Sequence, residues 1–183
     1  MSLLPITLFG DKILRKKTSK VTKVDNETIE LIRDMFATLR NANGIGLAAN
    51  QVGADKQIFV VDISGVEGFE ESKPMTIINP KIVERSEKKN KMEEGCLSIP
   101  DVRAEIERPE EITLTYQDVD LKEHTIKTSD VLSRVIQHEY DHLQGILFTD
   151  YLSEEEKKEL KKDLENIKKR KMEVDYPVSE AAH

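Results

Sequence analysis

Ser129-Asp130-Val131-Leu132-Ser133-Arg134-Val135-Ile136-Gln137-His138-Glu139-Tyr140-Asp141-His142-Leu143-Gln144-Gly145 is the stretch around which the rest of the chain makes sense. Ser129 or Asp130 can open a helix and Gly145 can close it just past Gln144. Advancing about 100° per residue, Val131, Leu132, Val135, Ile136 and Leu143 fall on one half of the wheel. Ser133, Arg134, Gln137, Tyr140, Asp141 and Gln144 fall on the other. His138 and His142 sit at the edge of the apolar half and stand one turn apart, so both imidazoles can reach one metal ion while Glu139 reaches its water. Glu139 lands in the middle of the apolar half, a costly place for a carboxylate without a partner. A metal with its water would resolve that cost; so would a buried ion pair, with the histidines as hydrogen-bonded core residues.

A catalytic ion of this kind needs a third ligand. The single cysteine, Cys96, is the candidate, because a thiolate and two imidazoles leave the fourth position of a tetrahedral ion open to water. It lies in Glu93-Glu94-Gly95-Cys96-Leu97-Ser98-Ile99-Pro100, which reads as a turn. One cysteine cannot form an intrachain disulfide, which fits a reducing compartment. A third block, Gly44-Ile45-Gly46-Leu47-Ala48-Ala49-Asn50-Gln51-Val52-Gly53, reads either as a backbone passing close to a ligand and presenting the Gln51 amide, or as a plain helix-to-strand connection. Gly44, Gly46, Gly53, Gly95 and Gly145, five of the eight glycines, fall in or beside these three blocks, which favours a site.

Outside the blocks, Ile29, Ile32, Met35, Phe36 and Leu39 predict a helix over 27–40, capped by Asp25 or Asn26. Strands are expected at 57–63, 75–83, 102–107, 111–118 and 122–127, several with the alternation of half-buried antiparallel strands. Residues 153–171 predict a last helix with Leu160, Leu164 and Ile167 as its stripe, acids at its start and bases at its end. A solvated terminal helix is the preferred reading, a docking helix for a partner the other. Residues 172–183 are expected to fray. The 183 residues fit one domain, and no apolar run approaches the roughly 18 residues of a membrane helix. A net charge of -7, with bases interleaved among acids, argues against nucleic-acid binding. The N-terminus carries no targeting signature, and a cytoplasmic location is expected.

In order, the three blocks resemble those of the peptide deformylases, which remove the formyl group from the initiator methionine of nascent chains. Gly10-Asp11-Lys12-Ile13-Leu14-Arg15 is similar to a further family signature, so the resemblance spans about 5–152. It implies an α+β fold, with antiparallel sheets around the central His-Glu-x-x-His helix and a C-terminal helix outside. On this reading 1–152 is the catalytic domain, and 153–183 is the helix and tail of the same domain. It implies Cys96, His138 and His142 as metal ligands and Glu139 as general base. Gln51 and the Leu97 N–H would bind the formyl oxygen, and Gly46 and Gly95 the peptide backbone. Ile45, Val131, Val135 and the face of His138 would line the methionine pocket, with Arg103 near its mouth. The implied cofactor is one divalent ion, Fe2+, replaceable by Zn2+, Ni2+ or Co2+. The implied partner is an N-formyl-Met nascent peptide, with the 153–171 helix as the point of any transient ribosome contact. Asn50 stands where proline is commoner, so a looser loop before Gln51 is expected; Lys12 also replaces a frequent proline.

Two other functions compete. A zinc endopeptidase would take its third ligand from Glu154, Glu155, Glu156 or Glu159 and give the Cys96 block no role. A catalytically silent, metal-stabilised binding module would give Glu139 none.

Overall fold

In the computed structural model, which describes residues 1–181, the central helix is α2 in chain order, Asp130–Leu143. It is preceded by α1 (Asn26–Asn41) and followed by α3 (Glu154–Lys168). Neither half of the α2 wheel is wet: Ser133, Arg134 and Gln137 are buried as fully as Val135, Ile136 and Leu143. The polar half is tolerated inside because it is paired. Gln137 Nε2 donates to Pro109 O at 2.9 Å, and Arg134 donates to Ile106 O at 2.7 Å and to Asn90 Oδ1 at 2.7 Å. Gly145 follows the helix in the left-handed region (φ +76°), where a Cβ would lie 2.6 Å from Arg15 O.

The strands are β1 (Gly46–Ala48), β2 (Ile58–Val61), β3 (Met75–Arg85), β4 (Lys89–Cys96), β5 (Ile99–Pro109), β6 (Ile112–Gln117) and β7 (Glu123–Thr128). Five form an antiparallel sheet in the order β1-β2-β3-β6-β7, while β4 and β5 make a separate hairpin. One face of the large sheet, with Phe59, Val61, Ile77, Ile112 and Leu114, packs against Val135, Ile136 and Leu143 of α2. A second cluster joins α1 to β1 and β2 through Ile32, Met35, Leu39, Leu47 and Ile58. Asp25 caps α1, accepting from Thr28 N at 3.0 Å.

Several expectations are corrected. The Gly44–Gly53 connection contains a strand, β1, and the stretch read as a turn before Cys96 is the end of β4, the turn itself being only Leu97-Ser98. The strand expected at 102–107 runs from Ile99 to Pro109, because a two-stranded sheet leaves edges on which proline costs no ladder bond. That expected at 75–83 reaches Arg85, passing Pro80 at a register shift beside Asn79 (φ +49°). The last helix stops at Lys168.

Residues 172–181 do not fray. Met172, Tyr176 and Val178 pack with Ile6, Leu8, Ile99, Phe148 and Ile167, and Val178 bridges to Ile6 in parallel register. The N–H of Ile6 donates to Pro177 O at 2.9 Å, and that of Ser179 to Ile6 O at 2.9 Å. The rest of the segment expected to fray lies outside the described residues. Among the described residues, no helix is long and apolar enough to cross a membrane.

Candidate metal and catalytic site

Three donors from two elements meet at one point. His138 and His142 come from successive turns of α2, and Cys96 from the last position of β4. His142 Nε2 lies 3.2 Å from His138 Nε2 and 3.3 Å from Cys96 Sγ, and all three ligand atoms fall within 4.8 Å of one another. A tetrahedral ion with bonds of about 2.0–2.1 Å to nitrogen and 2.3 Å to sulfur holds such atoms about 3.3–3.6 Å apart. The donors therefore fit a divalent ion with little movement. Glu154, Glu155, Glu156 and Glu159 lie exposed on α3 and belong to no such cluster.

Glu139 is buried, and its Oε2 has no hydrogen-bond partner among the described residues. Burial, with a smaller push from Glu94 against the pull of His138, raises its pKa from 4.5 to about 7. The space beside it exists because residue 46 is glycine: a Cβ there would lie 2.7 Å from Glu139 Oε1 and 2.8 Å from Val135 Cγ1.

Gln51 is buried and held at both ends. Its Oε1 accepts from Ala48 N at 2.9 Å, and its Nε2 donates to Ser98 Oγ at 3.1 Å and points at Cys96 Sγ, 3.5 Å away. The looser loop expected from Asn50 is not found. Asn50 is fully buried and its Nδ2 donates to His142 O at 2.6 Å, tying the loop that aims Gln51 to the helix carrying the histidines. A proline has no donor for that carbonyl.

These groups border a cleft of about 590 Å³. Of the residues expected there, Ile45, Gly46, Gln51, Gly95, Cys96, Leu97, Arg103, Val135, His138 and Glu139 line it. Val131 does not; it stands one turn before Val135 and packs against the cluster on the large sheet. Arg103 is exposed at the mouth, its guanidinium lying across Gly95.

The groups behind the ligands are what sequence reasoning missed. Glu94 Oε1 is 2.9 Å from His138 Nδ1, and Glu94 also accepts from Arg108 Nε at 2.7 Å and Arg134 Nη1 at 2.9 Å. Arg108 in turn donates to Asp141 Oδ2 at 2.8 Å, as does Tyr151 OH at 2.6 Å. Burial opposes charge on Glu94, but the bonds from His138 and Arg108 hold its carboxyl far below the usual carboxylate range. Burial would press His138 down, yet Cys96 and Glu94 carry it well above the ordinary histidine value. Burial and the neighbouring imidazole hold His142 well below it. The one available signal was spacing: on an extended strand Glu94 and Cys96, two apart, share a face.

The polypeptide deformylase family model matches residues 3–158. The chain is similar to the peptide deformylase of Salinibacter ruber, 45% identical over 183 residues, covering 96% of this chain and 94% of that one. It is also similar to that of Prosthecochloris aestuarii, 43% identical over 178 residues and covering 97% and 95%. The crystal structure of the Ehrlichia chaffeensis peptide deformylase in complex with actinonin superposes with a TM-score of 0.84 at 41% identity, covering 94% of this chain and all of that one.

Proposed function

The chain belongs to the polypeptide deformylase family, and from that premise we propose that Cys96, His138 and His142 hold one divalent ion while Glu139 moves the proton as the N-formyl group is removed from nascent polypeptides. The observation that carries this is the convergence of three ligand atoms beside a buried carboxylate whose Oε2 has no partner among the described residues, on the wall of an open cleft. Fe2+ is our reading of the resident ion, with Zn2+, Ni2+ or Co2+ able to replace it. When bound, such an ion supplies Lewis acidity and brings water toward ionisation at neutral pH.

The chain's own residues do the rest. Glu139 accepts the proton of the attacking water, its buried carboxyl lying on the cleft wall with Oε2 unpaired among the described residues. As the formyl carbon becomes tetrahedral, the Gln51 amide and the Leu97 N–H donate to the oxygen on which charge develops, one such donor being worth about 3 kcal/mol. Glu139 then gives its proton to the departing amine, leaving formate and a free N-terminal methionine. The peptide enters as an added strand: β1 is the end strand of its sheet, and Gly46 on it and Gly95 on β4 border the cleft. Ile45, Val135 and the face of His138 form the pocket for the methionine side chain; Val131 is left out of it.

We read the enzyme as cytoplasmic and one catalytic domain, 1–152, with 153–183 joined to it. The apolar stripe of α3 is used in packing against the body, so a ribosome contact would have to use its outer Lys and Glu face. The test is formate release from an N-formyl-Met peptide by protein prepared without oxygen and reloaded with iron, nickel or zinc. Metal-dependent release lost in Cys96→Ala is expected. Cleavage of internal peptide bonds surviving Cys96→Ala would mean an endopeptidase instead.

Gly46→Ala probes the space beside the carboxylate. Its methyl group would meet Glu139 Oε1, so kcat is expected to fall by about a hundredfold, as when a catalytic group is displaced by about 1 Å. Steady-state kinetics on metal-normalised protein checks this, and an unchanged kcat would place Glu139 elsewhere in the reacting state.

A further inference from the structure

The segment after α3 reaches the catalytic cleft. Glu173, Val174, Asp175 and Tyr176 form part of its lining. Tyr176 packs on the same buried cluster as Cys96 and Leu97, and its hydroxyl donates to Leu97 O at 2.7 Å. The tail is built in place on both sides of this contact. Arg170 Nη2 donates to Asp11 Oδ1 at 2.7 Å, and Ser179 Oγ to Asp11 Oδ2 at 2.7 Å, while Ile6 pairs with Val178.

The turn that Tyr176 holds has only two residues, Leu97 and Ser98, and it directly follows Cys96. Its other side is already pinned: Phe9 N donates to Ser98 O at 2.8 Å, and Gln51 Nε2 to Ser98 Oγ at 3.1 Å. Without the tyrosine hydroxyl, the Leu97 carbonyl loses this partner, and the residue can rock about its own Cα. A peptide group that must meet a developing charge works only if it is already aimed, since reorganisation at the moment of reaction removes the advantage. Burial pushes the Tyr176 hydroxyl above its ordinary pKa, so it keeps the proton it donates.

We propose that Tyr176 is a positioning residue for deformylation, its hydroxyl fixing the Leu97-Ser98 turn through the Leu97 carbonyl, and that the tail carrying it is a structural wall of the substrate cleft. The proposal rests on the reading of the site given above. The phenolic oxygen reaches the turn and touches no metal ligand atom, so it acts through Leu97 and not on the reacting atoms.

The test is Tyr176→Phe in the full chain, loaded with the same metal as the parent protein and normalised to bound metal. Loss of one neutral hydrogen bond is expected to lower kcat on an N-formyl-Met peptide about fivefold to tenfold, with KM changed less than about twofold. Amide hydrogen exchange at Leu97 and Ser98 is expected to speed up by about tenfold, with that of α2 unchanged. Ser179→Ala loosens the anchor on Asp11 but keeps the phenol, and is expected to leave kcat within about twofold. An unchanged kcat in Tyr176→Phe, or local exchange unchanged at the turn, overturns the proposal. So does an equal loss in Ser179→Ala, which would assign the effect to tail docking and not to the hydroxyl. A parent protein that releases no formate with any metal refutes the deformylase reading itself, and is told apart because it precedes any comparison of variants.

Discussion

Glu139→Gln is expected to cut formate release by about a thousandfold or more, to leave one divalent ion bound per chain, and to make the metal-free protein harder to unfold. The first effect follows from chemistry: an amide of the same shape cannot take the proton of the attacking water or return it to the amine. The second follows from geometry, because the proposed ligand atoms belong to Cys96, His138 and His142 and the substitution touches none of them. The third is a matter of linkage. Between the ordinary carboxyl value of 4.5 and about 7, the folded chain holds on Glu139 a proton that the unfolded chain has released. Stability of the metal-free protein therefore falls as pH rises through that window. Above it the buried carboxylate costs on the order of 3 kcal/mol, which the glutamine does not incur. Urea unfolding of both proteins at pH 5 and pH 8 reads this directly. The variant's advantage is expected at pH 8 and largely absent at pH 5; an advantage of equal size at both would mean that the carboxyl does not titrate in this range.

Glu94→Ala is expected to be the most destabilising single substitution near the site, at about 3–5 kcal/mol. One carboxylate there serves Arg108, Arg134 and His138, and the Glu94 and both arginine side chains are at most 7% exposed. Removing it leaves Arg108 with Asp141 alone and Arg134 with only the neutral oxygens of Asn90 and Ile106. The His138 ring also loses the acceptor that orients it, and metal affinity is expected to drop about 10–100-fold. Denaturant unfolding of the metal-free protein and competition against a chelator separate the two losses. Glu94→Gln keeps one acceptor oxygen, loses the charge and sets an NH2 against the donors that the other oxygen served, and should fall between parent and alanine. A loss below about 1 kcal/mol in the alanine variant would show that water replaces the carboxylate. The same carboxyl sets an acid limit: because its folded pKa lies far below 4.5, its stabilisation is complete above that value and is lost as pH falls below it toward the folded value.

The groups that converge as a candidate metal site were legible in the sequence, whereas those that hold them in place were not. His138, Glu139 and His142 carry a helical spacing, and Cys96 stands alone as a thiol, so their chemistry could be read from the residues themselves. Glu94 and Arg108 look like the many other charged residues of a chain that is 34% charged. Only the β4–β5 pairing, which brings strand to strand across a two-residue turn, sets them together behind His138. β4 itself was hidden for the same reason: its inward positions include Asn90 and Glu94 in place of the apolar residues by which alternation announces a strand. Arg134 and Gln137 fall on the polar half of the α2 wheel, and a wheel cannot tell a wet face from a paired one. Asn50 and Tyr176 show the remaining limit. Each acts on a backbone carbonyl, and nothing in a residue's identity says which carbonyl it will find.

The bridge between Ile6 and Val178 also bears on the order in which the molecule can be assembled. It joins positions near opposite extremes of the sequence, and the loop it closes is almost the whole chain, so the entropy of closure can be repaid only after most other contacts exist. During synthesis Thr7 and Phe9 can find their partners at Gln51 and Ser98, but the backbone of Ile6 must wait for residues 177–179. The large sheet and α2 can collapse without waiting. The Leu97 turn cannot acquire its full set of contacts until translation has passed Tyr176, so the enzyme that trims new chains would complete its own cleft only after the segment beyond α3 has been made.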